Sequence, residues 1–80
     1  MYILIKELDI HGCTTIEARK HIKDALKDKN ISILRVIHGY HSDTLMKMVR
    51  KEFRSHPQID HIELSMNKGV TDLIIKKGFL

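Results

Sequence analysis

Residues 8–12 read LDIHG and residues 35–39 read RVIHG. Both end in Ile-His-Gly, both close a run of branched apolar residues, and the two histidines stand 27 positions apart (38 minus 11). A glycine directly after such a run lets the chain turn sharply, so each Ile-His-Gly marks the carboxyl end of a strand. The flanking sequence decides whether the two strand ends meet.

Upstream of His11, the stretch from Tyr2 to Ile10 is rich in isoleucine and leucine and reads as a strand. Downstream, Thr14-Thr15-Ile16-Glu17 matches a capping box, with Thr14 as N-cap and Glu17 reaching back to it. The helix that follows is expected to carry Ile16, Ala18, Ile22, Ala25 and Leu26 on one face, with Arg19, Lys20, Lys23 and Lys27 around the other, and to stop near Asn30. Residues 31–38, ISILRVIH, are β-branched and uncharged apart from Arg35, which predicts a strand buried on both faces, as parallel strands usually are. A second helix is expected from Ser42 or Asp43 to Ser55, with Leu45, Met48, Val49 and Phe53 inward and Pro57 just past its end. Ile59 to Met66 then alternates, Ile62, Leu64 and Met66 against His61, Glu63 and Ser65, as a half-exposed strand does. Asn67-Lys68-Gly69 supplies a turn, and Val70 to Lys76 returns as the last strand, a candidate sheet edge guarded by Lys76 and Lys77.

The order βαβαββ predicts an α/β two-layer sandwich with a mixed four-stranded sheet, residues 1–80 forming a single domain. Strands one to three run parallel and the fourth antiparallel to the third. Asp9, His11, His38 and Asn67 then converge on the carboxyl edge, where open α/β sheets bind ligands.

Composition narrows the classes of function. The chain has 42% hydrophobic and 30% charged residues, as a folded domain does, and no apolar run of membrane-spanning length. The acids and lysine within MYILIKELDI exclude a secretory signal there. Cys13 is the single cysteine, so no internal disulfide forms, and a reducing cytoplasm is the expected location. A net charge of +4 points to an anionic partner.

Three motifs together carry a resemblance. Leu-Asp-x-His-Gly after the first strand, Ile-His-Gly after the second, and Asn-x-Gly-x-Thr over Asn67, Gly69 and Thr71 resemble the Smr, or small MutS-related, domain in a short stand-alone form, along essentially the whole chain. The resemblance implies a nucleic-acid-binding domain, acting on RNA or DNA, often with nicking or RNA-cleaving endonuclease activity. The family's first motif falls on Asp9, His11 and Gly12, and its second, usually His-Gly-x-Gly, on His38 and Gly39. His41 stands where the second glycine is expected, and Asp43 where a further one often follows. A glycine-rich turn presents N–H groups to phosphate, whereas Asp43 puts a carboxylate there.

Phosphodiester cleavage needs a group that takes a proton from the nucleophile, a group that protonates the leaving oxygen, and positive charge near the phosphate. Asp9 and His11, two apart on a strand, point to the same side, so Asp9 is expected to support His11 as general base, with His38 as acid or phosphate holder. The alternative is that Asp9 and His11 merely cap a strand-helix corner and His38 is a satisfied core histidine. RNA brings its own nucleophile, the 2′-hydroxyl; on DNA water must attack and a divalent metal ion becomes the candidate cofactor. His38 and His41 form a His-x-x-His pair that, with Asp9 or His11, makes a candidate metal set, the one with Asp9 being of the two-histidine, one-carboxylate type. Cys13 is either a thiol activated at a helix start or a small apolar packing residue. Gly12, Gly39, Tyr40, His41, Asn67 and Lys68 are expected to touch nucleic acid at the loops, Tyr40 being either a base-stacking ring or a surface tyrosine with no partner. Lys47, Arg50, Lys51 and Arg54 form a basic stripe on the second helix, either a solvated face or a track that leads the phosphate backbone in. The other reading of the chain is a binding module without catalysis, held to RNA, DNA or ribosomes by its basic surface. His21, His56 and His61 are expected on the exterior, and Met46, Met48 and Met66 in the core or at its margin.

Overall fold

The computed structural model describes residues 3–40 and 43–76. Its elements are β1 (Ile5–Asp9), α1 (Thr15–Ala25), β2 (Ile33–Ile37), α2 (Asp43–Glu52), a one-turn 3-10 extension (Phe53–Ser55), β3 (Ile59–Leu64) and β4 (Val70–Ile75). The expected α/β sandwich and its βαβαββ order are both present. Expectations that fell on Tyr2, His41, Ser42 and Lys77 lie outside the described residues.

The four strands lie side by side in the order β1-β2-β4-β3, so β1, β2 and β3 run one way and β4 the other. The directions agree with the sequence reading, but the position of β4 does not. It is an interior strand, with the sheet edges at β1 and β3. The α2 crossover carries the chain one place beyond β2, and β4 turns back by a hairpin to fill the vacated slot. Val70 to Leu73 are buried accordingly.

Both helices cover one face of the sheet. Leu34, Val36 and Leu73 point into them and meet Ile22, Val49 and Phe53 in the core. β2 is buried on this face only, since Ile33, Arg35 and Ile37 on the other are half-exposed. There Arg35 spans to Asp72 on β4 through two hydrogen bonds of 2.9 and 3.1 Å. The carboxylate raises the Arg35 pKa, and Asp72 meets the requirement that a nearly buried charge be paired.

The capping box of α1 forms as expected: Glu17 N–H donates to Thr14 Oγ1 at 3.2 Å, and Thr14 N–H to Glu17 Oε1 at 3.0 Å. The helix ends at Ala25 with Leu26 as C-cap, short of Asn30. Ile16 is 75% exposed. At about 100° per residue it lies roughly 200° around the helix from Ala18, so it belongs to the outer face. Leu64 and Met66 are also exposed, Met66 completely, because the end of edge strand β3 runs beyond its helical cover. His56 is half-buried and stacks on Phe53 with ring centres 5.7 Å apart.

Candidate active site

The carboxyl ends of β1 and β2 and the β3–β4 hairpin meet at one edge, and glycines allow the approach. Gly12 and Gly39 have φ of 81° and 85°, the left-handed region that a side chain disfavours. A Cβ on Gly39 would stand 3.3 Å from His11 Cβ, and one on Gly69 would stand 3.3 Å from the Gly39 backbone. The three loops are thus stacked, with His11 against Gly39 and Gly39 against Gly69.

In the first loop, one carboxylate oxygen of Asp9 accepts from the His11 backbone N–H at 3.0 Å and from His11 Nδ1 as well. These bonds hold the Asp9 carboxyl below its ordinary pKa, the ring contact contributing most. An ionised acceptor at Nδ1 requires the ring proton on Nδ1 and leaves Nε2 as the basic nitrogen. Both side chains are exposed, and among the described residues Nε2 has no hydrogen-bond partner.

His38 has a different environment. Only 2% of it is exposed. Its Nε2 lies 2.9 Å from Thr71 Oγ1, its Nδ1 lies 3.2 Å from the Gly39 carbonyl, and Arg50 Nε lies 3.0 Å from the same Thr71 oxygen. These contacts determine the proton positions. The Gly39 carbonyl can only accept, so Nδ1 carries the ring proton; Nε2 then accepts the Thr71 hydroxyl hydrogen, while Arg50 Nε–H donates to the same oxygen. Burial pushes the His38 pKa down; the Gly39 carbonyl opposes this and the Arg50 charge adds to it. His38 is therefore a neutral ring with both nitrogens engaged.

The hairpin holds the second loop. The Gly69 carbonyl accepts from the N–H groups of His38 and Gly39 at 2.9 and 3.1 Å. Asn67 Oδ1 accepts from Gly69 N–H at 3.0 Å and from the Tyr40 hydroxyl at 2.7 Å. Tyr40, 67% exposed, is thereby fixed at the rim. Between the first and second loops is a cleft of about 790 Å³, with His11, Gly12 and Thr15 on one side and Ile37, Tyr40 and Leu45 on the other.

Lys47 and Lys51 on α2, Arg54 on its 3-10 extension and Lys68 on the hairpin are exposed, as the basic stripe requires. Arg50 departs from it, since its Nε turns inward to Thr71. Asp43 opens α2 and contributes a carboxylate to the first turn. Among the described residues no three His, Cys, Asp or Glu side chains cluster to hold a metal ion. In the conceived metal set, His41 lies outside the described residues and His38 has no free nitrogen. Among the described residues no helix is long and apolar enough to cross a membrane.

Sequence reasoning gave Gly69 only a place in the turn and Thr71 no role, although both belong to the Asn-x-Gly-x-Thr pattern. The cleft residues Thr15, Ile37 and Leu45 had no sequence signal of their own.

The Smr domain family model matches residues 8–72. No curated protein matches the chain. Among solved structures, the Smr domain of Thermus thermophilus MutS2 superimposes with a TM-score of 0.82 at 25% identity, covering 90% of this chain and 99% of that one.

Proposed function

Since the chain belongs to the Smr domain family, we propose that it binds nucleic acid at the carboxyl edge of its sheet and cleaves a phosphodiester bond there, with Asp9 and His11 as the proton-transfer pair. The observation that carries this reading is the doubly anchored Asp9 carboxylate, which sets the His11 ring and turns Nε2 outward. A base oriented by a third group is the arrangement that activates a hydroxyl nucleophile. RNA is the favoured substrate because its 2′-hydroxyl supplies that nucleophile. His11 Nε2 takes the hydroxyl proton, the 2′-oxygen attacks phosphorus, and the 5′-oxygen departs with a proton from water. Lys47, Lys51, Arg54 and Lys68 attract the backbone.

His38 takes a positioning role in this reading, since its one ring proton is committed to the Gly39 carbonyl and its other nitrogen to Thr71. It ties β4 to the Gly39 carbonyl, and Gly39 rests on His11. The second reading, binding without cleavage, draws on Asp43 and Arg50: one places negative charge beside the second loop, and the other has its Nε turned away from the phosphate path.

End-labelled single-stranded RNA and supercoiled DNA, incubated with wild type and His11→Ala with and without EDTA, separate these readings. Wild type is expected to cleave RNA in EDTA, and the variant to lose about a hundredfold or more while still binding. Salt-dependent binding by both proteins with cleavage by neither would establish the second reading. Equal cleavage by both would remove His11 from the mechanism.

A further inference from the structure

Charge is distributed unevenly around the cleft. Among the described residues, no lysine, arginine, aspartate or glutamate lines it. Each helix that starts beside it carries a carboxylate in its first turn, Glu17 in α1 and Asp43 in α2. In α1 that carboxylate already takes the Thr14 N–H, so the helix start is neutralised by the chain's own acid. Among the described residues, a phosphate inside the cleft would meet no lysine or arginine and two nearby acids. The cations lie outside, on the outer face of α2 and on the hairpin.

The interior suits a flat, neutral group. Ile37 and Leu45 provide apolar surface, and hydroxyls of the first loop border it. A Cβ placed on Gly12 would meet nothing within 4 Å, so the backbone there faces open space that a ligand can enter closely. Tyr40 stands at the rim with its hydroxyl tied to Asn67, an aromatic face already held in place. The cleft volume of about 790 Å³ lies within the range of small-molecule sites.

We propose that this cleft is a nucleobase pocket, and that the substrate is RNA with one nucleotide out of its stack, in a single strand or a bulge. This deepens the reading above and rests on it. Phosphates follow the outer cations, one base enters the cleft against Tyr40, and the phosphate next to that base comes to His11 at the cleft wall. A continuous duplex is excluded from the pocket, because its bases remain paired and stacked.

Cys13 lines the same cleft, is half-exposed, and is the chain's single cysteine, so its alkylation by iodoacetamide reports occupancy. The probes are short 2′-O-methyl RNAs, which lack the nucleophile: a single strand, a perfect duplex and an abasic strand, each at saturation judged by fluorescence anisotropy. The single strand is expected to slow alkylation of wild type, and the duplex and abasic strands to leave it unchanged. Tyr40→Ala should weaken single-strand binding about tenfold with duplex affinity unaltered, and Tyr40→Phe should retain most of the affinity. Protection by the abasic strand or the duplex would overturn the pocket, as would single-strand binding that neither protects Cys13 nor depends on Tyr40. Absence of binding at low salt removes the nucleic-acid reading and the pocket with it, whereas binding without protection removes the pocket alone.

Discussion

Thr71 has one hydroxyl hydrogen and two neighbours, Arg50 and His38, and the hydroxyl satisfies both by accepting from one and donating to the other. Thr71→Val keeps the shape and removes the oxygen, so the buried His38 Nε2 is left without a donor. The expected cost is about 1–3 kcal/mol of folding stability, measured by urea denaturation. Asp9 and His11 were readable as a pair because strand geometry puts residues two apart on the same side. The partner of His38 was not readable, since it comes from a strand 33 residues away, and the fate of a histidine depends on that partner. The spacing of Asn-x-Gly-x-Thr was visible, but only the folded hairpin brings its carbonyl to the second loop and its hydroxyl to the buried ring.

The same contrast holds for whole elements. The α1 start is specified by contacts within four residues, and Thr14→Ala is expected to cost about 1 kcal/mol, read as a lower midpoint in urea with an unchanged slope. Strand identities and directions followed from alternation and from the crossover rule. Strand order did not, because an edge strand and an interior strand can share a local pattern. A signal for β4 was nevertheless present: VTDLII has a single charge, and the lone Arg35 of the neighbouring β2 is its counterpart. The misplaced Ile16 and Met66 have a simpler origin, since an apolar residue joins a core only where a neighbouring element covers it.

For the molecule as a whole, titration connects site and stability. His38 and half-buried His56 are held below the usual histidine pKa of 6.5, mainly by burial, while His61 is raised above it by hydrogen bonds to Asp60 and then Glu63. A lowered histidine contributes stability that is complete above 6.5 and lost as pH falls toward its folded value; a raised one contributes below 6.5 and loses that contribution as pH rises through its folded value. His61 is exposed and solvent-screened, so the buried groups dominate. Acidification from about pH 7 to about pH 5 is expected to lower the melting temperature, and more steeply in His61→Asn; a flat or rising profile would show that His38 is not kept neutral. The interior position of β4 has a further consequence, during synthesis. The segment that joins both halves of the sheet and brings Thr71 to His38 leaves the ribosome after all the other strands and helices. Until then β3 has no neighbour, the second loop has no anchor, and Asp9 and His11 belong to an unfinished chain. A nascent polypeptide of this kind has both outer parts of its sheet made and nothing yet between them.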